Sequence, residues 1–211
     1  MKGGVQKCYF YPLMRDHVLL GVLWLLFCIF HSALAASSLK RWIASEAAWL
    51  NRFYRLFYTL FAAATFIYII TIQVRIHSPY LLPPTFQWVG YPLLAVGLVI
   101  MGICIKKYFL SLSGIKSLVT LQPNTFDLKV EGIHRFVRHP LYLGTFIAIW
   151  GLFFVIPQLS LFLSNLIIHL YTLVGIRLEE KKLVETFGAQ YEEYKRKVPK
   201  LLPRFPFKRQ P

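Results

Sequence analysis

Residues 141–176 read LYLGTFIAIWGLFFVIPQLSLFLSNLIIHLYTLVGI and contain no Asp, Glu, Lys or Arg. As a single helix this run would be about 54 Å long at ~1.5 Å per residue, against a hydrocarbon core of ~30 Å. The run must therefore fold back, and Pro157-Gln158 is the natural break because an interior proline removes a helix hydrogen bond. The flanking segments, 138–140 and the chain from Arg177 onward, are thereby predicted to lie on the same side of a membrane.

Three further windows without these charged side chains precede the hairpin, at 17–39, 56–74 and 76–105. Each can hold one spanning helix of roughly 20 residues. We place the third helix at 88–105, because the prolines just before it indicate a turn. The chain has 56% hydrophobic and only 16% charged residues, whereas a soluble domain carries about 25% charge. The predicted fold class is an all-α integral membrane protein with about five transmembrane helices, the last two forming the hairpin.

The basic residues predict how these spans are oriented. In the five-span arrangement, 20 of the 24 Lys and Arg residues face one compartment and four face the other, which identifies the first as the cytoplasm. The net charge of +15 fits this distribution, and we expect no nucleic-acid partner. The predicted location is a bacterial or archaeal inner membrane, with the functional site facing the cytoplasm. The first window also resembles a cleavable signal peptide, so its retention is left open.

The cytoplasmic tail carries apolar residues spaced three or four apart. This spacing predicts a C-terminal amphipathic helix whose stripe lies back on the protein or the membrane surface. The stripe consists of Leu183, Phe187, Tyr191, Tyr194 and Val198.

A first polar cluster precedes the hairpin and ends in Arg138, His139 and Pro140. Pro140 is typical of the first turn of a helix, so Arg138 and His139 would stand beside the free N–H groups of a helix start. Such a start attracts a carboxylate or phosphate. The alternative is that Arg138 only marks the interface, while Gly144 and Gly151 allow close helix packing.

A second polar cluster follows the hairpin and begins at Arg177. Glu179 would lie just beyond the membrane on a helix extension, where the helix dipole favours cations. Its carboxylate therefore needs a partner, either Lys182 or Arg177 or a cationic group of a ligand. The sequence contains no Walker loop, GxSxG or HExxH motif, and its three cysteines have no metal-ligand spacing, so no metal site is predicted.

Taken together, GIHRFVRHPLYLG (132–144) and EEKKLVETFGAQYEEYKRKVPKLLP (179–203) resemble the paired motifs of the isoprenylcysteine carboxyl methyltransferase family in order and spacing. The stretch HSALAASSLKRW (31–42) is similar to that of bacterial relatives, the NnrU-like proteins and the methanethiol S-methyltransferases. The resemblance implies a single membrane domain over 1–211, with N-terminal transmembrane helices at 17–110 and a cofactor-binding catalytic core at 126–203.

The resemblance also implies S-adenosylmethionine as the cofactor. The cofactor's carboxylate suits the basic helix start, its ammonium or ribose suits Glu179, and its sulfonium suits the aromatic face of Tyr142. Matched to the family motifs, the cofactor-binding residues are Phe126, Asp127, Leu128, Lys129, His134, Arg138, His139, Pro140, Leu141, Tyr142 and Glu179.

Two positions depart from the family pattern. His134 stands where the family usually has Tyr. The substrate-binding Arg of eukaryotic members falls at Gly175, and Arg177 lies two residues before Glu179, about 200° around the helix at ~100° per residue. This departure bears on whether a prenylcysteine carboxylate is recognised.

We expect methyl transfer to a lipophilic or small thiol or carboxylate acceptor within the membrane lipids. A carboxylate acceptor needs no base, whereas a thiol or an amine does, and His134 and Glu180 are the candidates. Arg177 completes the candidate catalytic residues. Two alternatives are an NADPH-dependent membrane reductase of the sterol reductase type and a non-catalytic membrane subunit. The acceptor, the atom methylated and the oligomeric state stay open.

Overall fold

The computed structural model describes residues 3–46, 48–112, 128 and 130–203, and it contains helices and no strand in these residues. The predicted all-α class is therefore confirmed. Two single 3-10 turns occur, at Pro84–Phe86 and Gly132–Arg135. The α-helices are α1 (Gly3–Ala35), α2 (Ser37–Glu46), α3 (Ala48–Arg75), α4 (Gln87–Leu112), α5 (Pro140–Val155), α6 (Leu159–Phe187) and α7 (Ala189–Lys197).

Among the described residues, four helical segments are long and apolar enough to cross a membrane. They are Met14–Ala35, Leu56–Arg75, Pro84–Lys106 and Leu159–Phe187. The apolar helix α5 has 16 residues, or about 24 Å at ~1.5 Å per residue, which is shorter than a ~30 Å hydrocarbon core. The membrane character is thus borne out, and the fifth span stays a prediction.

The long apolar run breaks where the sequence predicts. Helix α5 ends at Val155 and α6 begins at Leu159, so the turn contains Pro157 and Gln158. The turn is held by backbone hydrogen bonds: Leu81 N–H donates to the Pro157 carbonyl at 2.7 Å, and Leu159 N–H donates to the Pro79 carbonyl at 3.0 Å. The segment before α4 therefore also pairs backbone groups of the hairpin turn, because the Pro79 carbonyl accepts one hydrogen bond and the Leu81 N–H donates another.

The chain divides into two compact units. The first unit holds α1, α2, α3 and residues 159–168 of α6; the second holds α4 up to Lys107, α5, the rest of α6 and α7. In the first unit the buried Trp24 donates its Nε1–H to Ser164 Oγ at 2.7 Å, and Ser164 Oγ–H donates to Gln73 Oε1 at 2.7 Å. These polar side chains on apolar helices thus satisfy one another, as membrane packing requires.

Small residues bring α4 and α5 close together in the second unit. A Cβ on Gly97 would overlap the backbone of Ala148, and a Cβ on Gly151 would overlap the backbone of Leu94. A Cβ on Gly144 would lie 2.9 Å from Ile100 Cγ2. The close-packing interpretation of Gly144 and Gly151 is therefore confirmed.

This contact makes a first prediction. Gly97→Leu is expected to lower the free energy of unfolding by about 1–3 kcal/mol, because the added side chain must separate two helix backbones. Gly102 is a matched control on the same helix, since nothing lies within 4 Å of a Cβ placed there. Thermal unfolding in detergent measures both variants. Equal losses for Gly97→Leu and Gly102→Leu would contradict the packing argument.

Helix α6 continues beyond the apolar run, which ends at Ile176, into a charged extension over 177–187. Leu, Glu and Lys in this extension are strong helix formers. The helix ends at Gly188, whose φ of 53° lies in the left-handed region that glycine tolerates. The predicted apolar stripe is consequently divided between α6 and α7, and it is on α7 that its residues Tyr191 and Tyr194 are buried.

Candidate functional site

The first polar cluster is joined to the C-terminal tail through its backbone. Pro140 begins α5, as predicted, and just before it the N–H groups of Arg138 and His139 donate to the carbonyls of Pro199 at 2.9 Å and Lys200 at 3.1 Å. These two amides are therefore already bonded within the protein. The tail residue Tyr194 adds a side-chain bond, donating its hydroxyl proton to the His134 carbonyl at 2.7 Å.

Arg138 lies at the centre of this junction. Its Nη2 is 2.6 Å and its Nε 3.0 Å from Glu180 Oε1, while Nη1 donates to the carbonyls of Lys195 and Val198. The Arg138 and Glu180 side chains are only 8% and 10% exposed. The guanidinium donors are thus directed to the second cluster and the tail, and a role for Arg138 in binding a cofactor stays a prediction.

Glu180 is held by three cationic or donor groups. Besides Arg138, Lys200 Nζ lies 3.0 Å from its Oε2 and His139 Nε2 lies 3.1 Å from its Oε1. Glu180 is on the charged extension of α6, past the apolar run that ends at Ile176. Burial would raise the pKa of the Glu180 carboxyl, but the hydrogen bonds from Arg138, Lys200 and His139 outweigh burial and lower the pKa to about 2. Glu180 is therefore an ionised anchor at neutral pH.

His139 connects this anchor to an accessible carboxylate. Burial lowers the pKa of His139, and the opposing effect of Glu179 and Glu180 does not overcome it. The ring is therefore neutral at pH 7, and its contact with Glu180 is a hydrogen bond in which Nε2–H donates. Its Nδ1 lies 3.8 Å from Glu179 Oε2, whose side chain is 46% exposed. The Tyr142 ring is 5.7 Å from the His139 ring, centroid to centroid.

His134 occupies the 3-10 turn before Arg138. Its Nδ1 is 3.1 Å from the Arg138 carbonyl. A carbonyl oxygen only accepts, so Nδ1 carries the proton and Nε2 carries the lone pair in the neutral ring. This tautomer leaves Nε2, a buried atom, as the ring nitrogen that can accept a proton.

Tyr191 completes the buried side of the junction. Its side chain is 1% exposed, and burial together with the Glu180 carboxylate raises the pKa of Tyr191 to about 12. The phenol therefore keeps its proton. Sequence reasoning placed Tyr191 and Tyr194 in an apolar stripe and gave Lys200 no role. The tail motif that includes Val198, Pro199 and Lys200 carried the signal, because its spacing matched the family pattern.

The structure brings most of the predicted site residues into the second unit. Pro140 is buried, Leu128, Leu141 and Tyr142 are half-buried, and Arg177 is exposed on α6. Phe126, Asp127 and Lys129 lie outside the described residues. In the part of the chain that is described, no three His, Cys, Asp or Glu residues could hold a metal ion.

Residues 87–190 match the phospholipid methyltransferase family. Three relatives illustrate the similarity. Over 193 residues the chain is 31% identical to a methanethiol S-methyltransferase of Pseudomonas sp. (strain GM41(2012)), covering 85% of this chain and 70% of the relative. It is 41% identical over 75 residues to the methanethiol S-methyltransferase of Crocosphaera subtropica, covering 36% and 29%. It is 38% identical over 80 residues to the protein-S-isoprenylcysteine O-methyltransferase of Schizosaccharomyces pombe, covering 37% and 34%.

Coverage differs among the relatives. The chain spans 29%, 44% and 26% of the length of the methanethiol S-methyltransferases of Crocosphaera subtropica, Pseudomonas deceptionensis and Bradyrhizobium diazoefficiens. No solved structure matches the chain.

Proposed function

The chain belongs to the membrane methyltransferase family that includes the methanethiol S-methyltransferases and the protein-S-isoprenylcysteine O-methyltransferases, and from this premise we propose that it transfers a methyl group from S-adenosylmethionine to a small thiol. The observation that carries the proposal is the joining of the two motifs. Arg138 and His139 from one motif both bond Glu180 from the other, and Tyr142 and Glu179 both lie near His139.

The residues fit a cationic cofactor. Glu179 presents a half-exposed carboxylate that lies 3.8 Å from His139 Nδ1, so its oxygens can accept from an ammonium or ribose hydroxyl. Tyr142 offers an aromatic face to a sulfonium. Glu179 and Tyr142 both lie near His139, and the Arg138–Glu180 pair fixes His139 through its bond to Glu180.

S-Adenosylmethionine, when bound, supplies a methyl group on a positively charged sulfur that leaves as a neutral thioether. The protein then has mainly to align the acceptor and exclude water, and such positioning supplies roughly 7–11 kcal/mol. Glu179 binds the cofactor through its ammonium or ribose hydroxyl, Tyr142 orients the sulfonium, and the buried junction excludes water. His134 is the better of the two candidate bases, because its Nε2 carries a lone pair whereas the Glu180 carboxylate has a pKa of about 2.

The acceptor is proposed from two observations. A relative that matches over 193 residues is named a methanethiol S-methyltransferase, and the position of the substrate-binding Arg of eukaryotic family members is Gly175 here. A thiol acceptor has no carboxylate, so its binding does not need an Arg at position 175. Arg177 is exposed on α6, and a catalytic role for it stays a prediction. We further propose that the fifth helix spans the bilayer and that the site faces the cytoplasm of an inner membrane, with 20 basic residues on that side.

The direct test is binding and transfer by the purified full-length protein in detergent. We expect it to bind radiolabelled S-adenosylmethionine and to move the labelled methyl group to methanethiol, giving a volatile product that is trapped and counted. Labelled NADPH and a farnesylcysteine analogue are the matched probes.

Each outcome separates one alternative. Binding of NADPH without S-adenosylmethionine would mean a reductase. Transfer to farnesylcysteine but not to methanethiol would overturn the thiol assignment. Cofactor binding without transfer to either acceptor would favour a non-catalytic subunit.

A further inference from the structure

The first unit contains an apolar groove between α1 and α3 that lies outside the two methyltransferase motifs. The groove has a cavity volume of about 130 Å³. Leu23 and Ile69 line one end, and His31, Leu34 and Tyr58 line the other. Both helices are among the candidate membrane spans, so the groove faces lipid rather than water.

Polarity changes along the length of this groove. From Leu23 to Phe30 the α1 side of the groove is lined by apolar side chains only. At the other end Tyr58 Oη lies 2.8 Å from His31 Nε2, and the two rings are 5.2 Å apart, centroid to centroid. The eight helical steps from Leu23 to His31 span about 12 Å. On the α3 side Thr65 and Tyr68 also line the groove, and Thr65 donates its hydroxyl proton to the Phe61 carbonyl at 2.8 Å. The α1 side is therefore apolar up to the His31–Tyr58 pair.

Positive charge follows beyond that pair. The connection from α1 to α3 contains two basic residues, Lys40 and Arg41, and one acidic residue, Glu46. Helix α2 packs against both α1 and α3, and Tyr54 donates its hydroxyl proton to the Leu34 carbonyl at 2.6 Å. This bond places the basic connection at the polar end of the groove. Lys40 and Arg41 are exposed on α2.

We propose that this groove binds one acyl chain of an anionic phospholipid whose phosphate is held by the basic residues of α2. The order of chemistry along the groove is the order within such a lipid: basic residues for the phosphate, His31 and Tyr58 for the ester level, and apolar residues for the chain. The acyl chain of a zwitterionic lipid would also fit the groove, but its headgroup has no net negative charge to pair with Lys40 and Arg41. This site is independent of the proposed reaction.

The test uses the full-length protein, delipidated in detergent and titrated with dioleoyl phosphatidylglycerol or dioleoyl phosphatidylcholine under native mass spectrometry. We expect one tightly retained phosphatidylglycerol per chain. The Lys40→Gln, Arg41→Gln double variant is expected to lose about fivefold in affinity for each charge removed and to approach its affinity for phosphatidylcholine.

A matched pair of alanines tests the groove itself. Ala62 lines it, whereas Ala64 is exposed, does not line it and lies about 200° around α3 at ~100° per residue. Ala62→Trp is expected to abolish the retained adduct, and Ala64→Trp to leave it. Circular dichroism checks that both variants keep their helices. Equal retention by the two variants, or equal affinity of the wild type for the two lipids, would overturn the proposal.

Discussion

Arg138→Met is expected to lower the free energy of unfolding by about 3–5 kcal/mol, the usual cost of removing one partner from a buried ion pair. The substitution leaves the Glu180 carboxylate, 10% exposed, without its closest cation. It also removes the donor to the carbonyls of Lys195 and Val198. The tail should therefore be held less firmly to the segment before α5, mainly by the backbone bonds to Pro199 and Lys200 and by the Tyr194 bond to His134.

Arg135→Met is the matched control for this measurement. Arg135 is three residues earlier and is exposed, so its replacement is expected to change stability by less than about 0.5 kcal/mol. Thermal unfolding in detergent, followed by tryptophan fluorescence, compares the two variants. Similar losses for Arg138→Met and Arg135→Met would mean that the ion pair does not hold the tail.

A double variant distinguishes an uncompensated charge from lost packing. Glu180→Leu added to Arg138→Met removes the buried carboxylate as well as its partner. Replacing both members of a buried pair is generally less costly than removing one. The double variant should therefore be more stable than Arg138→Met alone. If it is less stable, the remaining bonds of Glu180 to His139 and Lys200 outweigh its pairing with Arg138.

The hairpin could be predicted because its causes are local. Helix length against bilayer thickness required a break in 141–176, and only Pro157 offered one. The turn between Val155 and Leu159 confirms this prediction. The start of α4 at Gln87, directly after the prolines, was equally a matter of local sequence.

The pairing of Arg138 with Glu180 could not be predicted, because the two residues are 42 positions apart and nothing local selects one carboxylate from its neighbour. The sequence suggested that the helix start at Pro140 would attract an anion from outside the chain. The N–H groups of Arg138 and His139, just before that start, donate to the tail carbonyls of Pro199 and Lys200, and anion binding at the helix start itself stays a prediction. Sequence spacing identified the two motifs, whereas the hydrogen bonds that join them could be seen only in the folded structure.

The partner of Glu179 shows the same limit. Charge proximity along the helix suggested Lys182 or Arg177. The ring of His139 is the neighbour that the structure provides, at 3.8 Å, because the hairpin brings the end of α6 beside the start of α5. The spacing of residues along α6 predicts contacts only within that helix, so it does not predict the contact of Glu179 with His139.

Glu179→Gln is expected to weaken S-adenosylmethionine binding by about tenfold to a hundredfold, because a hydrogen bond to a charged group contributes about 1.5–3 kcal/mol. Glutamine keeps the shape of the side chain and removes only its charge. Stability should change little, since Glu179 is 46% exposed and its contact with His139 is 3.8 Å long. This variant therefore tests ligand binding separately from the ion pair that Glu180 forms. Equilibrium binding of the radiolabelled cofactor measures the effect.

Glu185→Gln is the control, since Glu185 is an exposed glutamate on the same helix. The control variant should bind the cofactor as the wild type does. If Glu179→Gln and Glu179→Ala also bind it normally, the accessible carboxylate is not part of the cofactor site. Glu180 is neutralised by Arg138, Lys200 and His139, so Glu179 is the carboxylate of this junction that can bind a cationic ligand. Loss of the Glu179 charge should therefore lower cofactor affinity more than it lowers stability.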